Sequence, residues 1–358
     1  MKRRIESATA VPVTLPRRGR LGWWHAFWRR LLLAGLPALP ATVPLPEGPP
    51  AAVRALASRL EHERGRFATA ARTFGADYKG GYWMMYLLAP MAVTCAAAAA
   101  AGLASPRLMT GIELCLICLI LLLFLLMRRQ DWQERWIRAR RTAEHLRYLP
   151  LVAPFVPDKH ANWYEVLAAR RGVRVMVDEE VTRVCLRLAQ LEVAQQLNIG
   201  DREFVRDYVA YVKELLSQQI RYHSQKAALE HALSHRISLT STAFFTITVG
   251  CTVALFLENL SGFTRPAQYL RLLATVLPAL GGGLRGLLAQ GESHRVAALS
   301  EGMVVRLGQL LQQLEALPLN GSYNEELEKI IWNTVQELLS EADTWMRLQE
   351  SAPLSVAA

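Results

Sequence analysis

Residues 276–295 read VLPALGGGLRGLLAQGESHR, a proline and three consecutive glycines within an apolar run, with one arginine close behind. Two readings compete. Glycines beside a cation can cradle phosphate, which points to a nucleotide enzyme; small residues also let membrane helices approach closely. A phosphate-binding loop needs Gly-x4-Gly-Lys-Ser/Thr after a strand, and nothing here supplies the Lys-Ser/Thr. The segment instead holds the small-x3-small spacing through Gly282 and Gly286. Pro278 and the run Gly281, Gly282 and Gly283 make such a helix easy to kink. A membrane helix is the better reading. For Pro278, Gly281, Gly282, Gly283, Arg285 and Gly286 two roles stay open, plain helix packing and a hinge or pore-lining element.

The rest of the chain supports a membrane reading. At 358 residues, length alone allows two or three soluble domains. Yet 52% of residues are apolar, the formal charge is +10, and the apolar residues come in blocks rather than amphipathic stripes. Residues 82–104 carry no charge and begin with Tyr82, Trp83 and Tyr86, aromatics suited to a water–lipid interface. At 1.5 Å per residue such a block crosses a hydrocarbon core of roughly 30 Å. Residues 108–127 form a second block, charged only at Glu113 near its start. Residues 237–260 form a third, rich in Thr and β-branched residues but too long for a strand. The fourth, residues 269–290, contains the opening stretch; Arg271 and Arg285 lie near its two ends, where each can snorkel to an interface.

Charge placement sets the expected orientation. Residues 128–147, RRQDWQERWIRARRTAEHLR, hold seven arginines against three acids. Arg64, Arg66, Arg72 and Lys79 precede the first block, whereas the loops within the pairs hold only Arg107 and Arg265. The positive-inside rule then puts both hairpin tips outside and both termini in the cytoplasm, with Arg128, Arg129, Trp132 and Trp136 anchoring the chain at the membrane interface. The basic stripe is read as meeting anionic lipid headgroups rather than nucleic acid. For residues 17–41, RRGRLGWWHAFWRRLLLAGLPALPA, an interfacial amphipathic helix through Trp23, Trp24, Phe27 and Trp28 fits best; a cleaved signal peptide and disorder are the alternatives. Residues 40–50 form a Pro-rich linker.

The expected fold is therefore an all-α integral membrane protein: two transmembrane helical hairpins, about four spans, with long cytoplasmic helices between and after them. The expected divisions are residues 1–50, a basic Trp-rich segment and linker; 51–127, a cytoplasmic helix and the first hairpin; 128–236, a cytoplasmic helical region; 237–290, the second hairpin; and 291–358, C-terminal cytoplasmic helices. Within 128–236, Pro150, Pro154 and Pro157 break the first basic helix, short helices follow at 160–172 and 178–198, and a long one starts at Asp201 and enters the third span. A break at residues 318–323 separates the last two helices.

Other residues invite a chemical reading. His223, His231 and His235 sit at offsets of eight and four, so one helix face can present them together. A metal site would want a carboxylate or cysteine there, and the adjacent Glu230 points elsewhere. Solvated or packed histidines are expected, with a metal or pH-sensing cluster as the alternative. Glu113 and Glu258 lie near outer span ends, where solvation explains them. Cys115 and Cys118 match the spacing of a redox or zinc pair, yet with leucine and isoleucine around them buried thiols are expected; Cys95 and Cys251 lie in other spans and Cys185 in the inner segment. No catalytic array, cofactor motif or metal set is assigned, and an enzyme is not expected.

Three stretches carry a family resemblance: QQIRYHSQKAALEHALSHRI (218–237) leading into a span, VLPALGGGLRGLLAQGESHR leaving one, and ELLSEADTWMRL (337–348) near the end. Over roughly residues 140–350 the chain resembles SLATT-type proteins, the SMODS- and SLOG-associating two-transmembrane effector domains of bacteria. That resemblance implies an inner-membrane effector of a conflict or antiphage system, released by a nucleotide-sensing or nucleotide-synthesising partner to form a homo-oligomer and breach the membrane. The chain departs from many members in having two hairpins and no recognisable sensor domain. The alternative function is a non-catalytic membrane anchor that recruits a soluble partner through its cytoplasmic helices; a transporter is a weaker third.

Overall fold

Blocks of strong helix formers, punctuated by prolines and short polar turns, give a chain built of helices. The computed structural model describes residues 21–32, 50–155, 182–183, 201–261, 267–318 and 325–351. The elements are α1 (Gly22–Leu32), α2 (Ala51–Ala100), α3 (Pro106–Arg129), α4 (Trp132–Val152) closed by a 3-10 turn (Ala153–Phe155), α5 (Arg202–Ser261), α6 (Ala267–Gly291), α7 (Ser293–Ala316) and α8 (Glu325–Ser351). No strand occurs among the described residues. Among the described residues, four helical segments are long and apolar enough to cross a membrane, within α2, within α3, within α5 and along α6–α7.

The two long helices organise everything else. α2 runs 50 residues and α5 runs 60 without interruption, about 75 and 90 Å at 1.5 Å per residue. The Asp201 carboxylate accepts the Glu203 N–H at 3.0 Å and starts α5 at the expected place. Each long helix carries a polar half and an apolar half. α3 returns antiparallel along α2, bringing Met127 against Gly81; α6 returns along α5, bringing Gly281 against Ser241 and His294 against Ser234. Both returns then bend at a single left-handed residue before a polar helix begins. Asp131 (φ 48°) separates α3 from α4, and Glu292 (φ 51°) separates α6 from α7.

Two cores result. In the polar half, α2, α4, α5, α7 and α8 bury Leu56, Leu146, Tyr208, Leu215, Leu307 and Leu339, and the Tyr208 hydroxyl donates to the Leu151 carbonyl at 2.5 Å. Nearer the apolar half, Phe74, Tyr78, Trp83, Trp136, Ile137 and Trp345 form a second cluster. Beyond it the apolar half turns its side chains outward: Leu114, Leu121, Leu122 and Leu125 on α3 and Val249, Val253 and Phe256 on α5 are all exposed. A water-soluble protein rarely presents so large an apolar surface.

Three expectations change. The first block stops earlier than expected, because the helix ends at Ala100 and Gly102 takes a positive φ in the turn to α3. Pro150 does not break α4, which continues to Val152 before Pro154 enters the closing 3-10 turn. Cys115 and Cys118 are not buried thiols: both face outward on α3, whereas Cys251 is buried. The helices expected at 160–172 and 178–198, Cys185, Pro157, Arg265 and most of the Pro-rich linker lie outside the described residues, apart from Thr182 and Arg183 in helical conformation.

Candidate functional site: a glycine seam above a basic cavity

Three of the glycines singled out in α6 place that helix between its two long neighbours. A Cβ on Gly281 would meet the Ser241 hydroxyl of α5 at 3.2 Å; one on Gly283 would meet the Tyr86 carbonyl oxygen of α2 at 2.7 Å; one on Gly286 would strike the Tyr86 ring. The Tyr86 carbonyl is also the acceptor that Pro90, lacking an N–H, cannot serve within α2. A side chain at Gly283 would therefore press on the backbone of α2 rather than on a movable side chain. Gly282 faces open space, so of the small-x3-small pair only Gly286 works as a contact, and Gly283 replaces Gly282. Ser241 donates to the Gly281 carbonyl at 3.1 Å, and Arg285 Nε donates to the Ser241 hydroxyl at 3.3 Å. Pro278 lies within α6, which continues through it as helix.

The anchors separate into two kinds. Arg128 and Arg129 are exposed at the end of α3, and Trp132 is half-buried at the start of α4. Trp136 is not at a surface: it is buried between Tyr78 (5.6 Å between ring centres) and Trp345 (5.0 Å). Its expected anchoring role is corrected to a core role, because α4 turns back against α2 at once and carries this face inward. Exposed aromatics are carried instead by α1. Its Trp24 and Trp28 pack on the aromatic core while Trp23, Phe27 and Leu31 stay exposed. Leu21 N–H donates to Asp77 at 3.0 Å, Arg29 pairs with Glu230 at 3.4 Å, and Arg236 donates to the Leu32 carbonyl at 2.7 Å, fixing α1 across α2 and α5.

Beneath α1 the structure opens a cavity of about 310 Å3 between α2, α4, α5 and α8. Six cations line it (Arg64, Arg72, Lys79, Arg140, Arg147 and Lys226) against two carboxylates, Glu144 and Glu341. Lys226 pairs with Glu341 at 3.5 Å, Arg147 with Glu144 at 3.8 Å, and Arg64 with Glu61. No ion pair is formed by Arg72, Lys79 or Arg140 among the described residues; Lys79 lies 4.9 Å over the Trp136 ring and Arg140 3.9 Å over Trp345. Burial, then Arg29 and Arg140, hold the Lys79 ammonium down to about 7. Burial, Lys79 and Arg29 lower His25 to about 3. Burial lowers His223 to about 4 although Glu341 opposes it. Burial pushes Glu341 up, but Lys226, His223 and Arg140 outweigh it and keep this carboxylate below its usual range.

The three histidines do not converge. His223 lines the cavity, His231 meets Glu301 of α7 at 2.8 Å, and His235 is exposed. Among the described residues no cluster fit to hold a metal is found. Glu113 and Glu258 are half-exposed towards the far ends of α3 and α5. Comparison with protein-family models, curated proteins and solved structures finds no match to this chain.

Sequence reasoning used Arg64, Arg72 and Lys79 only for orientation and missed the cavity. A signal was present. Arg64, Arg72 and Lys79 recur at offsets of eight and seven, Arg140, Glu144 and Arg147 at four and three, and Gln219, His223 and Lys226 at four and three. Those are one-face spacings on three helices, with polar residues where an apolar stripe is otherwise expected.

Proposed function

We propose that the chain is a bacterial inner-membrane effector of the conflict or antiphage type, with its polar helices and both termini in the cytoplasm. In this reading it oligomerises and permeabilises the membrane when the cytoplasmic helices rearrange. The observation that carries the proposal is the continuity of α2 and α5 from the polar bundle to the far end of the apolar half. α5 holds no internal proline, so a displacement of the bundle is delivered along it to the span, whereas α2 carries Pro90 within its apolar half. The outward apolar faces of α3 and α5 supply surface for lipid or for further copies. The resemblance to SLATT-type proteins supports the same reading and suggests a nucleotide-sensing or nucleotide-synthesising partner as the trigger. No chemistry is needed from the chain itself.

The second reading is an anchor that only recruits a soluble partner, in which the seam serves helix packing alone. The two readings part in one experiment. The chain is expressed in bacterial cells with its genomic neighbours, and membrane potential is followed with a voltage-sensitive dye after the trigger. Collapse of the potential, lost when the spans are replaced by an unrelated anchor, is the expected result. A steady potential with the protein in the membrane overturns the effector reading, and function retained on the unrelated anchor establishes the scaffold.

A further inference from the structure

We infer that the cavity between α2, α4, α5 and α8 is a binding site for a compact, multiply charged phosphate-bearing anion, gripped by Arg72, Lys79 and Arg140. The inference stands whether or not the chain permeabilises membranes. Its first support is charge. The lining carries six cations against two carboxylates, and the three named cations form no ion pair among the described residues. Folding has gathered Lys79 and Arg140 where they repel one another, an arrangement that a bound anion relieves. Arg72 reaches the same cavity from an exposed position, with its Nε on the Ala68 carbonyl. Size is the second support. About 310 Å3 is at the lower end for small-molecule sites, right for a few phosphate groups and too small for a nucleic-acid strand.

Donor chemistry narrows the class further. Two guanidinium forks, on Arg72 and Arg140, match the paired oxygens of phosphate, and Lys79 adds a point charge. Gln219 and His223, both buried, offer Nε2 and Nδ1 atoms with no hydrogen-bond partner at the same cavity. Depth speaks to the source of the phosphate. Lys79 is three residues below Tyr82, about 5 Å, but Arg64 is eighteen residues below it, about 27 Å. The site thus extends from the reach of a lipid headgroup to well inside the aqueous side. His25 of α1 also lines the cavity, so the site adjoins the element that ties α2 to α5.

Lys79 gives the site a proton signature. Its ammonium, held to about 7, faces Arg29 and His25 from α1, Arg140 from α4, Lys226 and Glu230 from α5 and Glu341 from α8. An anion placed beside it restores the charged form, so binding near pH 7.5 takes up a proton.

The test uses the full chain in detergent and titration calorimetry with sodium tripolyphosphate, citrate as the carboxylate control, and two buffers of different ionisation enthalpy. One-to-one binding is expected, weakened at least tenfold in both Lys79→Gln and Arg140→Gln and unchanged in Arg221→Gln, outside the cavity. Proton uptake should vanish in Lys79→Gln. Lys79→Gln should melt at or above the wild-type temperature without ligand, since burial and the facing Arg29, Arg140 and Lys226 oppose its ammonium; that separates lost binding from lost folding. A lipid arm runs in parallel: if tripolyphosphate fails but phosphatidylglycerol co-purifies one-to-one with wild type and not with the variants, the phosphate is a headgroup. Citrate binding as tightly as tripolyphosphate overturns the phosphate assignment. No binding in either arm, or equal weakening in Arg221→Gln, overturns the site.

Discussion

At the seam, three glycines within six residues make different demands. A methyl group on Gly283 would press on a backbone carbonyl, which cannot move without shifting α2; one on Gly286 presses on the Tyr86 ring, which can swing; one on Gly282 meets nothing. Gly283→Ala should therefore cost about 1–3 kcal/mol as overpacking. Gly286→Ala should cost less, and Gly282→Ala should be neutral or gain up to about 1 kcal/mol from helix propensity. Melting temperatures in one detergent rank the three, and a Gly282→Ala as damaging as Gly283→Ala would refute the seam as drawn. Titrating residues give a second prediction. His25 and His223 stay neutral in the fold down to about 3 and 4, whereas the unfolded chain protonates them near 6.5. Stability should thus fall as pH drops from 6.5 towards 4. His223 is faced by Lys226 from α5, Arg140 from α4, Arg306 from α7 and Glu341 from α8, so the cations around it reinforce this sign. Lys79 acts at the other end: the fold releases its proton near 7 and the unfolded chain near 10.5, so stability should rise again above pH 7. Melting curves from pH 4 to 10 should show both limbs, the upper one absent in Lys79→Gln.

Elements were largely legible because their signals are local. An uncharged block longer than twenty residues, a proline before a helix and an acidic cap at Asp201 each act within a few residues, and α3, α5, α6, α7 and α8 begin and end close to where such marks stand. What stayed hidden depends on neighbours. The bend after α3 and after α6 rests on single non-glycine residues, Asp131 and Glu292, in a left-handed conformation that no pattern advertises. Trp136 read as an interfacial aromatic because its position along α4 is visible in sequence, while the face it turns to α2 is not. The cavity was missed for the same reason, its cations coming from separate helices. Glu292 offers a direct check on the bends. A left-handed L-residue costs roughly 1–2 kcal/mol, and the Glu292–Arg295 ion pair at 3.4 Å is a short-range pair beside a largely exposed arginine. Glu292→Gly should stabilise the chain by about 1 kcal/mol, whereas Glu292→Ala, which loses the pair and keeps the conformation, should not. Equal effects in chemical or thermal unfolding would mean that the bend stores no backbone strain.

Taken whole, the molecule repeats one plan: a long unbroken helix, a returning apolar helix, a left-handed bend and a polar helix. α2–α3–α4 follow it with 50, 24 and 21 residues and α5–α6–α7 with 60, 25 and 24. The sequence shows the order twice but no alignable repeat, since the plan lives in apolar blocks and bend positions rather than in residue identities. If the apolar halves lie in lipid, Cys115 and Cys118, exposed on α3, should resist a water-soluble maleimide in intact membranes and label fully after dissolution in SDS. Ready labelling before dissolution would place α3 in water and remove the basis for a membrane protein. The plan also locates where force must pass. α5 is the long helix without an internal proline, so under the proposed function a signal from the bundle passes to the spans chiefly through α5. Leu239 of α5 lies two residues past the start of the third apolar block and is exposed, so a change there disturbs no packed neighbour. Proline at this position removes one backbone hydrogen bond and kinks the helix at a local cost of about 3 kcal/mol. Leu239→Pro should keep the bundle folded, as tryptophan fluorescence reports, and keep the chain in the membrane, yet abolish triggered permeabilisation; Leu239→Ala should retain it. Permeabilisation undiminished in the proline variant, with the protein intact, would show that α5 does not transmit the signal and that the spans act independently of the bundle below them.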